Sequence, residues 1–147
     1  MAEGILRSLL APDAGDQIQV ASAGTGAVDG LPATTLAIET AAANGIDIVG
    51  HRSSRLTTAR LRDSDLILCM EPGHVARAQE LAPEARDRIR LITRTDAEPA
   101  HTADAGVSDP IGGAKKAYEE TFQKIHSHLL RWLPRIRAAA ERSEGVR

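Results

Sequence analysis

The run Asp65-Leu66-Ile67-Leu68-Cys69-Met70 limits what this chain can fold into more than any other stretch. After Asp65 it is apolar at every position, whereas a strand with one wet face alternates. A strand covered on both faces needs helices above and below its sheet. The rest of the chain supplies helical patterns. Ile5 with Leu9, and Leu6 with Leu10, stack at i,i+4 over Ala2 to Leu10. Pro32 suits the first residue of a second helix, which has Leu36, Ala37 and Ala41 on its apolar side and stops at Asn44-Gly45. A short helix is expected around Thr57 to Leu61, and another over Val75 to Leu81. The last runs from about Ala114 to Ala140, where Tyr118, Phe122, Ile125, Leu129, Trp132 and Ile136 recur at spacings of three and four. Pro134 is expected to kink it or to mark its loosening end.

Two further strands fit between these helices, one at Gln17-Ile18-Gln19-Val20 and one at Arg88 to Ile92. The Pro12 to Asp16 cluster reads as a turn, Ser22 to Gly26 as a flexible loop, and Thr93 to Gly113 as a long polar loop. Strands alternating with helices predict a doubly wound α/β domain with a parallel sheet. The count is uneven, because the first helix has no strand ahead of it and no capping residue before it. In a doubly wound sheet the strand before the first helix lies centrally. The expectation is one domain over residues 1–140, incomplete at its N-terminus, with a polar tail over 141–147.

Composition narrows the function classes. A formal net charge of −2 with no basic block gives no footprint for nucleic acid or an anionic membrane. No apolar run reaches the length of a membrane span, and the N-terminus lacks the order of a signal peptide. Aromatic residues make up 2% of the chain, so the core must be aliphatic. Cys69 is the single cysteine, which excludes an internal disulfide and makes a cytoplasmic location the default. Gly24-Thr25-Gly26 does not continue as a dinucleotide fingerprint, because Asp29 stands where the last glycine would be. His126 and His128, two apart on a helix, do not share a face, and His101 with Asp104 reads as solvated loop. Neither cofactor nor metal is expected.

Five motifs stand in order. They are Met1-Ala2-Glu3-Gly4-Ile5-Leu6-Arg7, Ser22-Ala23-Gly24-Thr25, Gly45-Ile46-Asp47-Ile48-Val49-Gly50-His51-Arg52, Asp65-Leu66-Ile67-Leu68-Cys69-Met70 and Asp109-Pro110-Ile111-Gly112-Gly113. Together they resemble the low-molecular-weight protein phosphatase family over about Met1 to Trp132. The resemblance implies a three-layer α/β fold with a four-stranded parallel sheet, of which the first, central strand is missing here. It implies dephosphorylation of phosphotyrosine or phosphoarginine in a protein through a phosphocysteine, without a cofactor. It implies Asp109 as general acid, and Ser22 and His51 as residues that brace the phosphate loop.

The family's C-x-x-x-x-x-R-S-P loop, which directly precedes M-A-E, does not occur in these 147 residues. That loop supplies a thiolate nucleophile, backbone N–H groups and a bidentate arginine. Cys69 cannot replace it, because Val75 stands six residues on where the arginine is needed, and an apolar strand keeps a thiol inert. These residues alone are therefore expected to be inactive. The expectation is a start set at an internal methionine; the alternative is a non-catalytic pseudophosphatase acting as an interaction module. Ile111 and Ala27-Val28 stand where tyrosine-specific members carry aromatics, which resembles the branch that includes arginine phosphatases.

Overall fold

Alternation along one short strand sorts the core onto the two faces of a sheet. The computed structural model describes residues 1–14, 17–95 and 104–144. Strand β1 (Ile67–Cys69) pairs in parallel with β2 (Ile89–Leu91), in the register Ile67 to Ile89 and Cys69 to Leu91. Leu66, Leu68 and Met70 pack against a cluster built from α1 (Ala2–Ala14) and α5 (Lys115–Glu144). Ile67 and Cys69 pack against Leu61 of α3 (Thr58–Asp63), Ala78 of α4 (Pro72–Leu81) and Ala85 of a 3-10 helix over Pro83–Arg88. The fold is therefore α/β in three layers, with the sheet between α1 and α5 on one side and α3 and α4 on the other.

α5 is the spine of the first layer. Phe122, Ile125, Leu129, Trp132 and Ile136 lie buried along one stripe with Ile5 and Leu10 of α1. Trp132 donates its indole N–H to the Ile92 carbonyl at 2.7 Å, which fixes α5 to the end of β2 and satisfies a polar group inside an apolar layer. α2 (Thr35–Ala43) docks on α5 through Ala37, Ala41 and Tyr118. Its N-cap Thr34 accepts from the Ala37 N–H and donates to the Tyr118 hydroxyl, each at 3.3 Å.

Several expectations need correction. α1 continues to Ala14, into the residues read as a turn, while Gly15 and Asp16 lie outside the described residues. Pro32 does not open α2; it forms an isolated antiparallel bridge with Arg52, and the helix begins at Thr35 behind its threonine cap. α5 reaches Glu144 and takes in Pro134 without a break, so residues 141–144 are helical; 145–147 lie outside the described residues. The middle of the long loop, residues 96–103, lies outside them too.

The largest correction concerns Gln17 to Val20, which joins no ladder among the described residues. Ile18 and Val20 pack half-buried against the α1 and α5 cluster, and the Val20 carbonyl accepts from Arg7 Nη2 at 2.7 Å. The alternation was real, but burial satisfied it without a neighbouring strand. The described sheet has two strands, and the edge of β1 away from β2 pairs with no strand among the described residues.

Candidate functional site

The first turn of α1 organises an open cleft of ≈ 750 Å³, lined by residues that include Glu3, Ser22, Asp47, His51, Arg52 and Arg60. Glu3 lies in the first turn, where the helix dipole favours a negative charge. Its carboxylate gathers three partners. Ser22 Oγ donates to Oε2 at 2.6 Å, His51 Nδ1 lies 3.5 Å from the same oxygen, and Arg7, one turn on, pairs with Oε1 at 2.9 Å. Glu3 is 17% exposed and His51 26%, so this pairing is shielded more than one between exposed side chains.

Local backbone explains how the three meet. A Cβ on Gly4 would stand 2.6 Å from Ile48 Cγ2, so only glycine lets the first turn of α1 lie so close to the 46–48 segment. The His51 N–H bonds the Ile48 carbonyl at 3.1 Å, and this turn carries the imidazole towards Glu3. Ser22 is held from the other side, where Ser54 Oγ donates to its carbonyl at 2.9 Å and Gly24 bridges to Arg55. At the start of the helix the Met1 amine is half-buried. Burial lowers its pKa below the ordinary value, and the Glu3 charge partly offsets that.

Of the residues singled out from the motifs, Ser22 and His51 therefore meet on one carboxylate. Asp109 does not join them: no hydrogen bond or ion pair links it to Glu3, Ser22 or His51. It is exposed on the loop before α5, with Oδ1 accepting the Ile111 N–H at 3.0 Å, which leaves Oδ2 open. That loop is fixed upstream. The Val107 N–H bonds the Met70 carbonyl at the end of β1 at 2.7 Å. Asp104 accepts from Thr93 Oγ1 at 2.5 Å and from the Gly106 N–H at 2.8 Å. The Thr93 hydrogen bond first, and Gly106 next, hold the Asp104 carboxyl below the usual carboxylate range.

Glu3 was missed from sequence. The signal was present, an acidic residue in an opening turn with arginine four residues on, but surface i,i+4 pairs look the same. Cys69 is buried on the α3 and α4 face, and burial pushes its thiol up to about 11, so it stays protonated. His101 lies outside the described residues. Among the described residues no three His, Cys, Asp or Glu side chains group as a metal site, and no helix is long and apolar enough to cross a membrane.

Comparison with known proteins meets this geometry from outside. Residues 1–142 match the family model described as low molecular weight phosphotyrosine protein phosphatase. The probable low molecular weight protein-tyrosine-phosphatase EpsP of Ralstonia nicotianae is 32% identical over 138 residues, covering 94% of this chain and 87% of that one. Vibrio vulnificus Wzb, solved in complex with benzylphosphonate, superposes with a TM-score of 0.77 at 33% identity, over 91% of this chain and 87% of that one. The YwlE arginine phosphatase of Geobacillus stearothermophilus superposes with a TM-score of 0.79 at 25% identity, over 93% and 83%.

Proposed function

This chain belongs to the low molecular weight phosphotyrosine protein phosphatase family, and we propose that its 147 residues carry the acid and the bracing groups of a cysteine-dependent protein phosphatase. The observation that carries the reading is the meeting of Ser22 and His51 on Glu3 in the first turn of α1. In the family the phosphate loop runs directly into that turn. A serine and a histidine joined to one carboxylate there would hold the base of such a loop still. The substrate class is a phosphorylated protein.

The chemistry divides between what these residues hold and what they lack. A thiolate attacks phosphorus, an S–P bond forms, and the bond from phosphorus to the leaving oxygen or nitrogen breaks. Asp109 delivers its proton to the leaving atom from Oδ2, the oxygen not engaged by Ile111. In the second step water attacks phosphorus, Asp109 takes the water's proton, and the thiolate is released. Neither nucleophile nor phosphate cradle is among these residues, so by themselves they are proposed not to turn over. Ile111 and Val28, exposed and aliphatic where tyrosine-specific members of the family carry aromatics, support phosphoarginine over phosphotyrosine, because neither offers a ring to stack on a phenol.

The test is a fusion that places an apolar strand and a C-x-x-x-x-x-R-S-P loop directly ahead of Met1. It should hydrolyse p-nitrophenyl phosphate, and Asp109→Asn should lower kcat by about 100-fold or more. A folded fusion with no turnover sinks the reading and favours a pseudophosphatase that binds phosphoproteins. Equal rates with and without Asp109 would remove it as the acid. An intact mass above 15.6 kDa for the protein from its own cells would show that a further segment is present there.

A further inference from the structure

One carboxylate closes the base of the long loop between β2 and α5. The loop leaves the sheet behind Ile92, whose N–H bonds the Cys69 carbonyl at 2.8 Å and whose carbonyl takes the Trp132 indole. Thr93 and Arg94 come next, and Asp104 reaches back to both. Its Oδ2 accepts from Thr93 Oγ1 at 2.5 Å and lies 3.7 Å from Arg94 Nε. Its Oδ1 accepts from the Gly106 N–H at 2.8 Å. The chain then rejoins the sheet. Gly106 turns at φ +74°, and the N–H of the buried Val107 bonds the Met70 carbonyl at 2.7 Å. Asp104 is therefore no solvated loop residue: its side chain is 23% exposed, and each of its oxygens holds a different end of the loop.

We propose that Asp104 is the positioning residue of Asp109: by clasping Thr93 to Gly106 it fixes where the acid stands. The proposal rests on the phosphatase reading for the role of Asp109. Asp109 follows Val107 by two residues, which span at most about 7 Å. The clasp therefore tethers it close to the carboxyl end of β1, the end at which open parallel sheets bind their ligands. A general acid must stand within about 3 Å of the atom it protonates. A loop open at its base would have to be ordered before each transfer, and closing it beforehand removes that cost. The carboxylate is suited to this because both of its oxygens accept. The amide of Asp104→Asn would keep one acceptor and lose the other. Thr93→Val would remove the partner hydroxyl without touching Asp104. In this role Asp104 touches no reacting atom and acts through Asp109 alone.

The probes are phenyl phosphate, whose basic phenoxide needs a proton to leave, and 2,4-dinitrophenyl phosphate, whose phenoxide leaves without one. In the loop-bearing fusion, Asp104→Asn should lower kcat/KM for phenyl phosphate by about tenfold and for the dinitrophenyl ester by less than about twofold. Thr93→Val should show the same contrast, which guards against a poorly folded Asp104 variant. Equal losses on both substrates would overturn the proposal, because a merely structural defect does not distinguish leaving groups. Added to Asp109→Asn, Asp104→Asn should cost phenyl phosphate hydrolysis no more than about a further twofold, since nothing is left to position. A full further tenfold loss would overturn the proposal too. A second measurement needs no turnover. In the 147-residue chain, Asp104→Asn should shift the Ile111 amide resonance, which reports the hydrogen bond to Asp109 Oδ1. An unmoved Ile111 amide would show that Asp109 stands independently of the clasp and would overturn the proposal. A folded fusion without turnover would sink the phosphatase reading, while the Ile111 amide still decided whether Asp104 sets Asp109.

Discussion

Glu3 shows how much one carboxylate can organise. Its oxygens take the Ser22 hydroxyl, the Arg7 guanidinium and the edge of the His51 ring. Glu3→Gln keeps the shape and removes the charge, so Arg7 loses its counterion and His51 its carboxylate neighbour, while Ser22 can still donate. Arg7 is 61% exposed, which keeps its share small. The expected loss is about 1 kcal/mol of unfolding free energy in urea. A double-mutant cycle with Ser22→Ala should give a coupling above roughly 0.5 kcal/mol, whereas additive losses would mean that the three groups merely sit near one another. Thr40 is the opposite case. Its hydroxyl is buried in α2 at 1% exposure without a hydrogen-bond partner. Thr40→Val keeps the shape and removes an unpaired polar group, so the urea midpoint should rise by the equivalent of about 1 kcal/mol. Ser22 and His51 could be singled out as candidates because each stands in a motif with fixed neighbours. The meeting on Glu3 and the Gly4 contact were not legible, since both depend on distant segments meeting in space, as Glu3 and His51 or Gly4 and Ile48 do.

At the scale of elements, the loop carrying Asp109 depends on how its upstream end is tied down. Gly106 has φ +74°, and a Cβ there would stand 2.0 Å from the Met70 carbonyl oxygen. Gly106→Ala must therefore break the Val107 to Met70 attachment as well as strain the backbone. A loss of more than about 3 kcal/mol is expected, read from thermal unfolding. Asp104 ties the same loop by a charge. Its folded pKa is depressed, so its contribution is present above the ordinary aspartate value near ~3.9 and fades as pH falls through the lower folded value. The stability gap between the wild type and Asp104→Asn should therefore be full at pH 6 and shrink below pH ~4. A gap independent of pH would mean that Asp104 acts through shape alone. The helices and the apolar β1 run were legible because their patterns are local. The Gln17 to Val20 reading failed because two alternating apolar residues state that a face is buried, not which backbone lies alongside; pairing is set by distant chain.

Among the described residues the molecule stands on a sheet two strands wide, three residues each, between two helical layers. Ile67 and Cys69 face one layer while Leu66, Leu68 and Met70 face the other, so β1 is the joint through which the layers feel each other. The edge of β1 away from β2 and the Gln17 to Val20 segment both present backbone without a ladder partner among the described residues. Unpaired backbone polar groups on an apolar sheet favour a further strand. The fusion that adds a strand ahead of Met1 therefore carries a structural expectation apart from its chemistry. If the strand enters the sheet beside β1, it buries surface in both layers at once. The urea m-value should then rise along with the midpoint, because m follows the area exposed on unfolding. The Leu68 amide should also become protected from hydrogen exchange. A fusion with the midpoint and m-value of the 147-residue chain would mean that the added strand hangs free of the sheet. Any turnover it then showed could not come from a loop seated on the first turn of α1.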